Sequence, residues 1–190
     1  MLKRHVFILF LLAINITHLH AQDIPPPNPS LAISIISGYS VMFLFDDIDK
    51  YKTGILNSGQ STFIRVGSVA DWQLQFKADQ TIFYGENDPT NQMELNNVGL
   101  VVVSTGTNFD DGSNISNYAK TTPLALEAEE ITILSKGAES NKGYGIDNAF
   151  TLNWEMGTRR GNMNNQSMLE QMLKSDTYVI NIVLTLSIIQ

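Results

Sequence analysis

Hydrophobic and polar residues alternate at period two along most of this chain. Tyr178, Ile180, Ile182, Leu184, Leu186 and Ile188 form one unbroken apolar row. Such a row is a strand with one buried face, because successive strand side chains point to opposite sides. LAISIISGYSVMFLF is strand-like from Leu31, with a bulge or turn expected at Gly38. STFIRVGS is short and β-branched. DWQLQFKAD puts Trp72, Leu74 and Phe76 on one side and Gln73, Gln75 and Lys77 on the other. NVGLVVVSTG is apolar on both faces, as a central strand is. TPLALEAEEITILSKG alternates at both ends and slips register at Glu129 and Glu130. A helix competes there, since Ala, Leu and Glu favour helices; Pro123 and the short length favour a strand with a bulge. AFTLNWEMG turns Phe150, Leu152, Trp154 and Met156 inward. One short helix is expected near 166–174, where Met168, Leu169, Met172 and Leu173 recur at helical spacing.

Seven to nine such strands, separated by Gly, Asn and Asp, predict an all-β fold. The expected architecture is an antiparallel Greek-key β-sandwich, immunoglobulin-like. Long connections such as TGTNFDDGSNISNYAKT suit Greek-key crossings better than hairpins. A lone apolar edge strand invites aggregation, so residues 178–188 are expected between two neighbours, with the apolar row in the core. Residues 30–190 read as a single domain. Residues 22–29, with Pro25, Pro26, Pro27 and Pro29, read as a Pro-rich extended lead-in.

The first residues add an address. Lys3 and Arg4, the apolar run HVFILFLLAINI and the small residue Ala21 describe a signal peptide over 1–21. The run is shorter than the roughly 20 residues a membrane helix needs. Cleavage there would remove all three histidines, and the chain has no cysteine. It would also leave ten basic residues against nineteen acidic ones, a net charge of −9. Nucleic acid is excluded as a partner on this balance, since its phosphates need clustered cations. No later segment is apolar enough for a transmembrane anchor, so the product is expected outside the cell or on its surface.

The motifs Trp72-Gln73-Leu74 and Tyr178 followed by INIVLTLS resemble the W-x-L surface domain of Gram-positive bacteria. There, one W-x-L follows a mid-chain strand and a second lies in a final strand opened by tyrosine. The chain is also similar to small secreted β-sandwich surface proteins of Bacteroidetes, with Ser175-Asp176-Thr177-Tyr178 leading into the last strand. Leu184-Thr185-Leu186 stands where the second W-x-L would be. The resemblance implies non-covalent attachment to the cell wall. By alternation alone, Trp72, Leu74, Trp154, Tyr178, Leu184 and Leu186 are expected in the core.

Without His or Cys, most nucleophile–base pairs and zinc sites are out of reach, and no catalytic residue is assigned. Asp46, Asp47 and Asp49 in FDDIDKYK, with Asp110 and Asp111 in NFDDGSN, are the candidate carboxylates for a structural calcium. Neither run matches the Ca²⁺-loop spacing, and Asp-rich turns explain both. No other cofactor is expected. Arg159 and Arg160 form an adjacent basic pair that suits an acidic partner or a sugar acid. These features point to a non-enzymatic exported bacterial surface protein, structural or adhesive, serving as a subunit of an envelope or fibre assembly. Its partners would be a cell-envelope component, other surface proteins or copies of itself. The alternative is a monomeric carbohydrate- or peptidoglycan-binding module.

Overall fold

A computed structural model describes residues 31–56 and 60–189. The signal peptide and the Pro-rich lead-in lie outside the described residues. In chain order the strands are β1 (Leu31–Ser37), β2 (Ser61–Ser68), β3 (Trp72–Ala78), β4 (Phe83–Gly85), β5 (Gln92–Met93) and β6 (Val98–Ser104). They continue with β7 (Ile115–Asn117), β8 (Leu124–Ala125), β9 (Ile131–Lys136), β10 (Ala149–Met156), β11 (Tyr178–Val179) and β12 (Ile182–Ile188). A short helix, α1 (Ile48–Thr53), follows β1, and a single 3-10 turn (Leu95–Asn97) precedes β6. All pairings are antiparallel, which bears out the all-β class.

The strands form three sheets. The first runs β1-β2-β10-β6-β8, the second β12-β3-β9-β7, and a small third sheet runs β11-β4-β5. The expected segments over β2, β3 and β10 appear as single strands because their alternation is uninterrupted, and β6 does so as a run apolar on both faces. At Gly38 the chain takes φ 75°, and a Cβ there would strike the Ser61 carbonyl. Only glycine fits that approach, and the β1–β2 register slips just before it, between Ile35 and Ser37.

The apolar sides of the first two sheets meet at two ring pairs. Trp72 of β3 lies 6.0 Å from Phe150 of β10, edge-on, and Phe76 lies 6.4 Å from Trp154. Leu74, Leu152, Ile64, Leu100 and Val102 complete a fully buried centre. Aromatic pairs in this geometry add about 0.5–1.5 kcal/mol beyond their area burial. Burying an indole also buries a donor, and the chain answers that need with Asn141. Trp72 Nε1 donates to the Asn141 carbonyl at 2.8 Å. The Asn141 side chain accepts from Trp72 N at 3.0 Å and donates to Trp72 O at 2.8 Å. Asn148 donates to the same Asn141 carbonyl at 3.1 Å and accepts from Asn108 at 2.7 Å. Trp154 Nε1 is likewise met by Thr62 Oγ1 at 3.1 Å.

Three expectations are corrected. Residues 166–174 are not a helix but one turn. Glu170 Oε2 accepts from Ser167 N at 2.7 Å and Ser167 Oγ at 2.8 Å, and the Glu170 N–H returns to Ser167 Oγ at 3.2 Å. Gln171 N reaches Ser167 O at 3.2 Å, and Met172 then turns left-handed at φ 49°. Only Met168 of that row is buried while Leu169 and Met172 are exposed, so the row forms no continuous stripe against the core. The helix forms instead at α1, where Asp47 Oδ1 accepts from Lys50 N at 2.9 Å and Gly54 closes the other end at φ 78°. Among the described residues strands number twelve rather than seven to nine, because Glu129 and Glu130 separate β8 from β9 in different sheets and short pairings arise in the loops. Finally, β12 is an edge strand: β3 holds β9 on its other side, so β12 has one neighbour.

Replacing Asn141 by Leu removes the side-chain partners of the Trp72 N–H and C=O, while the backbone carbonyl that accepts from the indole remains. A loss of about 2–4 kcal/mol is expected, read as a lower urea midpoint at unchanged slope. A loss under about 0.5 kcal/mol, the level of ordinary surface substitutions, contradicts this role.

Candidate functional site

Two features of the surface stand apart from ordinary turns: an open side where β1 and β12 adjoin, and a polar cleft on the outer face of β6 and β10.

The open side follows from register. Ile182, Leu184, Leu186 and Ile188 sit opposite Ala78, Phe76, Leu74 and Trp72. Their side chains therefore share the core face, yet they stay half-buried or exposed because no strand lies beyond them. Asn181 O accepts from Asp79 N at 3.1 Å, and Ile189 N donates to Asp71 O at 2.9 Å. The register between them is unbroken, so the odd-numbered residues of β12 exchange hydrogen bonds with β3. The N–H and C=O groups of Ile182, Leu184, Leu186 and Ile188 then point away from the sheet. β1 is the edge of the first sheet and touches β12. Its Leu31, Ile33 and Ile35 are also half-buried against the core.

The segment after β1 carries further exposed apolar residues. From Val41 to Phe45 burial alternates at period two: Val41, Phe43 and Phe45 pack on the core, while Met42 and Leu44 are 70% and 61% exposed. It has the side-chain pattern of a strand without a partner strand. Met42 N donates to the Gln60 side chain at 3.1 Å. Ile36, Tyr39 and Ile48 extend the exposed apolar surface on either side.

The cleft is built by β6, β10 and the turn that follows β10. Glu155 is almost fully buried and faces outward, one residue on from core Trp154. A buried carboxylate needs partners. Arg160 Nη1 donates to Glu155 Oε2 at 2.7 Å, and Thr158 Oγ1 donates to Oε1 at 2.8 Å. Arg160 Nη2 also donates to Thr121 O at 3.1 Å, which ties this turn to the segment before β8. Arg160 is thus drawn to an internal carboxylate, whereas Arg159 stays exposed in a left-handed conformation. The pair does not act together.

The carboxylate candidates are dispersed into local roles. Asp46 and Lys50 form an ion pair, and the hydrogen bond from Lys50 holds the Asp46 carboxyl below its usual range. Asp47 caps α1, and Asp49 lies in its first turn. At Asp110, burial pushes the carboxyl up, but Lys120 at 2.9 Å and Asn117 at 3.2 Å outweigh it and hold it low. Asp111 is lowered by Ser113, whose Oγ and N–H both reach it. Among the described residues no three acidic or histidine side chains converge on a common point. Trp72, Leu74 and Trp154 are in the core, and the Tyr178 hydroxyl donates to Lys174 O at 2.9 Å.

Asp176 was legible only as part of the lead into the last strands. It accepts from Asn87 N and Nδ2 at 3.0 and 2.8 Å, Asp88 N at 3.1 Å, Asn91 Nδ2 at 2.9 Å and Thr177 N at 2.7 Å. The Asn91 and Asn87 donors hold its carboxyl far below the usual carboxylate range. It pins the β4–β5 loop next to Gly85, where a Cβ would strike the carboxylate.

No protein-family model matches the sequence, and no curated protein matches it. Among the described residues no helix is long and apolar enough to cross a membrane.

Because the folded Asp176 carboxyl is the more acidic one, its contribution is present above the unfolded value near ~3.9 and fades as pH falls below it. Asp176→Asn should be less stable than the parent at pH 7, the gap closing toward pH 3 in chemical denaturation. A gap that is constant or widens on acidification contradicts the assignment.

Proposed function

We propose that this chain is a non-enzymatic, exported bacterial surface protein that assembles with copies of itself or with other envelope components. In this reading 1–21 is a cleaved signal peptide, and the folded part is a two-layer Greek-key β-sandwich, immunoglobulin-like. The ring contacts between β3 and β10 and the antiparallel sheets support the layered architecture. Structural or adhesive service needs a surface that pairs with something. The observation that carries the proposal is the open side, where β1 and β12, each the edge of its sheet, adjoin.

Natural proteins protect apolar edges with charge, proline or a bulge. Along β12 only Ile, Val, Leu, Thr and Ser occur, and its outward backbone groups can accept a further strand. Strand addition supplies main-chain hydrogen bonds for affinity, and the alternate side chains supply fit. Export is compatible with a domain of this size standing without disulfides.

Size-exclusion chromatography with light scattering, followed by electron microscopy, tests the proposal. Oligomers or filaments are expected that grow with concentration. The triple substitution Met42→Lys, Leu44→Lys and Val183→Lys should return the protein to monomer without altering its far-UV spectrum. A parent that stays monomeric at every concentration and mixes inertly with envelope preparations contradicts assembly. Retention of such a monomer on glycan or peptidoglycan columns would favour the binding-module alternative.

A further inference from the structure

The polar cleft has features that packing alone does not require. It is a half-open depression of about 350 Å³. Leu56, Val101, Thr121 and Asn153 line it together with the Glu155–Arg160 pair. Asn153 and Val101 are cross-strand neighbours on the outer face of the first sheet. The Asn153 side chain is half-buried, yet no hydrogen bond joins its amide to another described residue. A partly desolvated amide offers two donors and an acceptor with two lone pairs, and here they meet the cleft.

Charge narrows the ligand. Both cations at the cleft are already matched: Arg160 by Glu155 at 2.7 Å and Lys120 by Asp110 at 2.9 Å. An acidic ligand would compete with Glu155 for a guanidinium that the buried carboxylate needs. A basic ligand would find both carboxylates taken. A purely apolar ligand would strand the Asn153 amide and the 42% of the Arg160 side chain that remains exposed. What remains is a neutral molecule rich in hydroxyls, with an apolar face for Leu56 and Val101.

We propose that this cleft binds a neutral saccharide, either a single pyranose or the terminal unit of a chain. The Asn153 amide takes two adjacent hydroxyls, accepting from one and donating to the other. The spare N–H groups of Arg160 reach a third, and the C–H face of the ring lies on Leu56 and Val101. Glu155 acts through Arg160, holding the guanidinium in place. This site does not depend on the open edges, and its test reads a different signal from assembly.

The test is a ¹H–¹⁵N NMR titration of the full chain with methyl α-mannoside, methyl α-glucoside, methyl β-galactoside and chitobiose, with glucuronate as the charged control. At least one neutral sugar should move the Asn153 side-chain NH₂ signals together with the Val101 and Thr121 amides. Chitobiose binding more tightly than every monosaccharide identifies a chain end as the ligand, and equal binding identifies a single unit. Asn153→Leu should weaken binding about tenfold or more while leaving the remaining spectrum in place. Asn153→Ser, which keeps one hydroxyl, should lose less. The proposal is overturned if no neutral sugar moves these signals, if Asn153→Leu binds as the parent does, or if glucuronate binds best.

Discussion

The whole molecule depends on holding one indole in the dry space between two sheets. Trp72 opens β3, which is the strand that carries β12 on one side and β9 on the other. Its ring reaches across to Phe150 on β10, the middle strand of the first sheet. An indole N–H buried without an acceptor would undo much of what the ring contributes. Asn141 removes that cost by satisfying the indole and both backbone groups of the same residue. Asn148 and Asn108 fix Asn141 in turn. A polar network of this kind favours one arrangement of the two sheets over neighbouring registers, since a one-residue slip would break several bonds together.

Strand positions were legible where a single rule governed the sequence. β2, β3 and β10 have one buried face and a regular alternation, so their inward residues could be read directly. The turn at Gly38 was legible because glycine is the residue that tolerates the conformation. The helix expected near 166–174 failed because spacing alone does not supply a groove to bury the stripe. The small helix at α1 was hidden in a run of acidic residues that invited a reading as ligands or turns, although Asp47 and Gly54 were its capping signals. The neighbours of β12 were not legible at all. Periodicity reports which face of a strand is buried, not how many strands flank it.

The candidate sites divide in the same way. Asp46, Asp47, Asp49, Asp110 and Asp111 were visible as residue types, but their partners are local and fix turns. Glu155 was passed over because it alternates outward from Trp154, where a charged residue looks like solvent-facing decoration. The nearby Arg160, across a glycine-containing turn, was the available signal for its partner. Asn141 and Asn148 sit in loop-like sequence, and nothing in composition separates a buried asparagine from a turn residue. The open side emerged only when the strand order placed β1 and β12 at adjoining edges.

That open side is the centre of the functional account, and amide hydrogen exchange reads it residue by residue. In dilute solution the amides of Val183, Thr185 and Ser187, bonded to β3, should be protected. Those of Ile182, Leu184, Leu186 and Ile188 should exchange freely. On concentration into assemblies, this second set should become protected as a partner strand adds. The account is contradicted if the even-numbered amides are already protected in the dilute monomer, or if they stay unprotected in the assembled protein.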